Sequence, residues 1–137
     1  MRIVFFGDVV GKPGRRGVAR CLQALRAAGE VDFVVANCEN SAGGVGVDPG
    51  SARELLAAGV DVLTSGNHVW AKREIIEYMN DSDVLLRPAN FAPTTPGWGY
   101  TVKLNRRGTP VAVVNLIGRV FMNSYDCPFR AVDTALE

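Results

Sequence analysis

Four short apolar runs alternate with segments of helical spacing, and this alternation restricts the chain to the α/β class. The runs are "RIVFFG", "VDFVVAN", "VDVLTSG" and "DVLLRPAN". Between them, "RRGVARCLQALRAAG" places Val18, Cys21, Leu22 and Leu25 on one helical face and stops at Gly29. "SARELLAAG" reads as a second helix, with Ser51 as N-cap and Glu54 three residues on as its capping box. "AKREIIEYMN" reads as a third. Strands that are apolar on both faces predict a parallel sheet covered by helices on both sides. After Ala89 the pattern changes. "FAPTTPGWG" is an irregular loop, and "YTVKLNRRGTPVAVVNLIG" predicts a hairpin turning at Arg106-Arg107-Gly108. "CPFRAVDTALE" has the spacing of a helix just beginning, with no glycine cap or closing strand after it. This predicts a truncated chain, or half of a larger domain.

A chain of 137 residues suits a single domain, 1–137, with a real core. The net charge is +1 and the basic residues are scattered. The absence of a basic stripe argues against duplex DNA, and the absence of a basic amphipathic face argues against a membrane surface. No stretch approaches a membrane span. Asp8 interrupts the N-terminal apolar run too early for a signal peptide. Cys21, Cys38 and Cys127 are odd in number and widely spaced, which predicts reduced thiols in the cytoplasm. Gly7, Gly11 and Gly14 are spaced too loosely for a dinucleotide turn. "GDVVGK" lacks the spacing of a P-loop and the hydroxyl residue after its lysine. "SAGGVG" has the composition of either a phosphate cradle or a flexible loop. Arg15 and Arg16 open a helix, where cations oppose the dipole, so they read as an anion contact or as a solvated surface pair.

Ligands of open α/β sheets bind beyond the carboxyl ends of the strands. The first strand ends in Gly7-Asp8, the second in Asn37-Cys38-Glu39-Asn40 and the third in Gly66-Asn67-His68. The fourth ends in Arg87-Pro88-Ala89-Asn90, and the hairpin in Asn115 and Gly118-Arg119. Parallel neighbours lie about 4.8 Å apart, so side chains from adjacent tips meet. Asp8, Glu39, Asn40 and Asn67 offer oxygen donors suited to Mg, Mn or Fe, and His68, the only histidine, adds a nitrogen. Singly, each has an ordinary reading. Asp8 is a turn cap, Glu39-Asn40 a solvated loop edge, Asn67 a left-handed turn residue, and His68 an idle residue at a helix start. Their arrival together at three strand ends of one sheet favours a shared site.

The segments "GDVVGKPGR", "NCENSAGG", "TSGNHVW", "LRPAN" and "VVNLIGRVFM" resemble the bacterial YmdB-like metallophosphoesterases, a branch of the calcineurin-like superfamily. "ENSAGG" with "GNHVW" is specific to the branch, whereas "GNH" alone marks the wider superfamily. The resemblance implies a layered α/β/β/α sandwich, here mainly its N-terminal half: a parallel sheet with flanking helices plus a hairpin. It implies a phosphodiesterase with two divalent metal ions, iron or manganese, acting on cyclic nucleotides such as 2′,3′-cyclic AMP. By that resemblance Asp8 and Asn40 bind the first metal, Glu39 bridges, Asn67 binds the second, and His68 protonates the leaving oxygen. Val10 stands where the wider superfamily often has a metal-binding histidine, as is usual in this branch. The family's remaining ligands are histidines from a second half, which this sequence does not contain.

Those residue types suit the chemistry that the resemblance implies. A bridging carboxylate bonds two ions while offsetting their charge, and a neutral amide keeps the site positive enough to attract phosphate. An imidazole with a pKa near 6.5 carries a proton to a leaving alkoxide. Four protein ligands for two ions predict that this chain alone binds metal weakly and turns over little. Two other classes stand beside this reading: a Rossmann-like nucleotide-binding module without catalysis, and a structural or interaction domain. The hairpin and "PTTPGWG" are candidates for homo-oligomer contacts, with Trp98 and Tyr100 equally suited to a core.

Overall fold

The structure is a computed structural model that describes residues 1–137. The first four strands are β1 (Ile3–Phe6), β2 (Phe33–Asn37), β3 (Val62–Thr64) and β4 (Leu85–Leu86). They pair in parallel in the order β1-β2-β3-β4, with Phe6 opposite Ala36 and Asn37 opposite Thr64. Their crossovers carry α1 (Gly11–Ala27), α2 (Pro49–Ala58), and a 3-10 turn (Val69–Ala71) followed by the short α3 (Ile75–Asn80). The hairpin is a separate antiparallel pair, β5 (Tyr100–Leu104) with β6 (Pro110–Val114), and α4 (Pro128–Leu136) closes the chain.

The helices cover one face of the sheet, not both. Val34, Ala36, Leu63 and Leu85 pack with Val18 and Leu22 of α1, Ala52 and Leu55 of α2, and Ile75 and Met79 of α3. The alternate residues Phe33, Val35, Val62 and Leu86 face the hairpin through Val111. The strand order explains the difference. Each crossover advances one strand in the same direction, and right-handed crossovers that never reverse leave every helix on the same side. The second face is closed by the hairpin, giving successive layers of helices, parallel sheet and hairpin. Asn115 ties these sheets together: its Nδ2 donates to the Ser65 and Leu86 carbonyls at 2.8 and 3.0 Å. β1 is an edge strand, and Ile3 and Phe5 are half exposed or more.

Three local expectations change. α1 begins at Gly11 rather than Arg15, because Pro13 falls in the first turn, whose N–H groups have no helical acceptor in any case. The cap of α2 is Asp48, not Ser51. The Asp48 carboxylate accepts from Ser51 N–H at 2.6 Å, the Ser51 hydroxyl accepts from Asp48 N–H at 3.1 Å, and Pro49 starts the helix. Arg15 is a structural residue, with its Nε 2.6 Å from the Glu54 carboxylate. Trp98 and Tyr100 lie at the surface. The three cysteines are free thiols, and no helix is long and apolar enough to cross a membrane.

Candidate functional site

The tips of β1, β2 and β3 converge as the register requires. Past β1, Val9 N–H donates to the Asn37 carbonyl at 3.0 Å, and Gly11 N–H to the Asn40 carbonyl at 2.9 Å. Past β2, Cys38 N–H donates to the Thr64 carbonyl at 2.9 Å. These bonds align three successive loops. Asp8, Glu39, Asn40, Asn67 and His68 all line one open pocket of about 380 Å³, together with Phe5, Gly7 and Asn37. A larger cavity of about 830 Å³ adjoins it across Glu39 and Asn67 and runs along β6.

A chain of hydrogen bonds fixes the orientation of the imidazole. The Asp8 carboxylate is acceptor-only, so the Asn40 group 2.7 Å from its Oδ1 is the amide Nδ2. The Asn40 Oδ1 therefore turns to His68 Nδ1, 2.9 Å away. An amide oxygen only accepts, so Nδ1 carries the proton and the neutral ring presents Nε2 as its basic nitrogen. The His68 side chain is 44% exposed and lines the pocket.

Glu39 is held from the opposite direction. His68 N–H donates to its Oε2 at 3.1 Å, and Asn37 Nδ2 to its Oε1 at 3.4 Å. Gly66 makes room for it, since a Cβ there would lie 2.5 Å from both carboxylate oxygens. Asn37 and Gly66 are thus functional supports beyond the five predicted residues. Asn37 carried a readable signal, an asparagine two residues before a glutamate, whose Oδ1 accepts from Glu39 N–H at 3.4 Å. Asp8, not Asn67, takes the left-handed conformation, at φ 47°. Such strain is concentrated at functional sites.

The remaining strand-end residues lie elsewhere. Asn90 is a buried clamp: Nδ2 donates to the Ile117 and Asp126 carbonyls, and Oδ1 accepts from Ile117 N–H, all at 2.9 Å. Asn115 joins the two sheets, and Arg87 lines a different cavity. Neither Asp8 nor Glu39 pairs with a lysine or arginine; His68 Nδ1 lies 3.8 Å from Glu39 Oε2. No three of the His, Cys, Asp and Glu side chains form a metal-holding group by themselves. The donors here are two carboxylates and one imidazole interleaved with amides. Two carboxylates without a basic partner, beside amide oxygens at an open pocket, fit a hard divalent cation.

A sequence model of the family described as "YmdB-like protein" matches residues 4–137. The chain belongs to the YmdB-like family. It is 44% identical over 134 residues to a 2′,3′-cyclic-nucleotide 2′-phosphodiesterase of Bacillus subtilis (strain 168), covering 97% of this chain and 50% of the relative. Its structure resembles that of a hypothetical protein from Thermus thermophilus, with a TM-score of 0.90 and 42% identity, covering 99% of this chain and 52% of that one. A phosphatase from Mycoplasma pneumoniae matches with a TM-score of 0.86 and 28% identity, over 98% of this chain and 50% of the other. The chain spans about half the length of the relatives it matches. The fold is the α/β metallophosphoesterase type, represented by its parallel sheet, the helices of one face and the hairpin.

Proposed function

We propose that this chain carries part of the active site of a metal-dependent phosphodiesterase acting on 2′,3′-cyclic nucleotides. The observation that carries the reading is the meeting of Asp8, Glu39, Asn40, Asn67 and His68 in one pocket at three adjacent strand tips. The Bacillus relative's name supports the substrate class. Asp8, Glu39, Asn40 and Asn67 would hold two divalent cations, iron or manganese, with Glu39 shared between them. Cations held there would supply positive charge to the phosphoryl oxygens and activate the attacking water.

The chain's own residues do the rest. The Asp8–Asn40 bond holds the amide so that its oxygen faces the ring, and the ring keeps its proton on Nδ1. Nε2 is then the nitrogen that takes up a second proton and delivers it. As water oxygen bonds to phosphorus and the P–O2′ bond breaks, protonated Nε2 gives its proton to the departing 2′-oxygen. The product is a 3′-monophosphate; the attacking water gives up one proton to solvent as its oxygen joins phosphorus, and a solvent proton restores His68 for the next turnover. Asn40 thus has two tasks, with one lone pair of Oδ1 facing His68 and the other free for a cation. The three free cysteines favour a reducing, cytoplasmic setting.

The test fuses this chain to the remaining half of the Bacillus subtilis relative and measures Mn²⁺-dependent hydrolysis of 2′,3′-cyclic AMP. The fusion should be active, the chain alone nearly inactive, and Glu39→Gln or His68→Ala should lower turnover by about 100-fold or more. A fusion whose activity survives both substitutions would overturn the assignment.

A further inference from the structure

A third cavity, about 870 Å³, shares no lining residue with the Asp8–His68 pocket and only Arg119 with the cavity along β6. It opens between α4 and the segment that leads into β5, and its charge is one-sided. Arg87, Arg119 and Arg130 line it against one carboxylate, Asp126. None of these arginines is paired with a carboxylate anywhere in the fold.

Arg87 is the most informative of the three, because only 9% of it is exposed. Its Nη1 donates to the Pro88 carbonyl at 2.9 Å and, more distantly, to that of Ala89 at 3.5 Å. Its Nε is buried and has no acceptor. A guanidinium remains charged in proteins, and a buried charge without a counter-ion is costly. Burial accordingly pushes the Arg87 pKa downward. Residues 1–137 keep this cation at the cavity with no carboxylate paired to it.

The rest of the cavity has matching character. The first turn of α4, a nine-residue helix, holds no acid and meets the cavity at Cys127 and Arg130. The Cys127 thiol is held below its ordinary range, chiefly by the backbone N–H of Arg130, with Arg119 and Arg130 adding their charge. Negative charge is therefore favoured at this spot. Trp98 and Tyr100 stand on the wall, 56% and 51% exposed.

We propose that this cavity binds a phosphate monoester that also carries a planar aromatic group, its phosphate on Arg87, Arg119 and Arg130 and its planar ring against Trp98. A phosphate monoester carries a charge of about −1.5 to −2 near pH 7, which matches three guanidiniums offset by Asp126. Its oxygens accept from the fork of N–H donors that arginine presents. The exposed indole offers a stacking face. The site uses none of the residues assigned to phosphodiester hydrolysis and stands independently of that reading.

The probe is AMP, with adenosine, inorganic phosphate and succinate as comparison ligands, all in the presence of a chelator. The chain has two tryptophans, so Trp70→Phe leaves Trp98 as the only indole. AMP should change Trp98 emission saturably, phosphate should compete, and adenosine should give no response. Arg119→Glu and Arg130→Glu should each weaken AMP binding about tenfold or more, and Glu39→Gln should leave it unchanged. Arg87→Met should abolish it. If that variant does not fold, the two exposed arginine variants carry the test. The proposal falls if AMP gives no saturable response at about 10 mM, well beyond ordinary ligand affinities. It also falls if adenosine or succinate binds as well as AMP, if binding survives both charge reversals, or if Glu39→Gln removes it.

Discussion

Replacing Gly66 with alanine tests how Glu39 is held. The new Cβ would sit 2.5 Å from both Glu39 carboxylate oxygens and 2.7 Å from its Cδ. Gly66 is not in the left-handed region, so the backbone accepts alanine and the conflict falls on Glu39. The carboxylate must withdraw by about 1 Å to reach ordinary contact. A displaced rotamer costs about 0.5–1.5 kcal/mol. Loss of the 3.1 Å bond from His68 N–H costs about 1 kcal/mol more. Stability should therefore fall by about 2 kcal/mol, roughly 5–10 °C in Tm for a chain of this size. Metal affinity should suffer more in proportion, by about 10–100-fold, as for other substitutions that misplace a ligand. Scanning calorimetry reads the first effect, and Mn²⁺ titration followed by electron paramagnetic resonance reads the second. A Gly66→Ala chain that keeps wild-type Mn²⁺ affinity would refute the reasoning, because Glu39 would not be binding from the position that Gly66 allows.

The remaining predictions concern the scaffold. Asp32 accepts from Arg2 N–H at 2.7 Å and from Arg107 Nε at 2.9 Å. The Arg2 backbone bond first, then the charges of Arg107 and the N-terminus, hold its carboxyl below the usual range despite its burial. A depressed pKa adds stability that is present above the unfolded-state value of about 3.9 and is lost as pH falls through the native value. Asp32→Asn should lower the urea midpoint at pH 7, and the gap from wild type should narrow as pH falls below about 4. An equal gap at both pH values would count against this role. Asp48→Ala removes the α2 cap and should cost about 1 kcal/mol by urea unfolding, whereas Glu54→Ala should leave the cap intact. Leu55→Ala, at a fully buried α2 position, should cost about 2–5 kcal/mol in the same assay.

The α/β alternation and the hairpin were legible from apolar periodicity and turn residues, and the five clustered residues because strand tips in a parallel sheet are adjacent. What the sequence did not make legible depends on direction and on contact. The apolar runs of β2 and β3 indicate burial on both faces but not what covers each face; strand order decides that, and the order never reverses here. Ser51 and Asp48 are both good caps, and Pro49 decides between them by fixing the start of α2. Asn90 and Asn115 follow strands just as Asn67 does, yet both are buried in carbonyl clamps. Gly66 stood in the third strand end with no role of its own, and only its distance to Glu39 reveals one. Arg87 stood in a strand-end motif and proves to be a buried cation at a different cavity.

The most direct test of the central claim is to locate a paramagnetic cation on the chain. Substoichiometric Mn²⁺ should first broaden the amide resonances of Asp8, Glu39, Asn40, Asn67 and His68, and Glu39→Gln should suppress that broadening. Broadening centred on other carboxylates, such as Asp81 and Asp83, or an unchanged pattern in Glu39→Gln, would contradict the account.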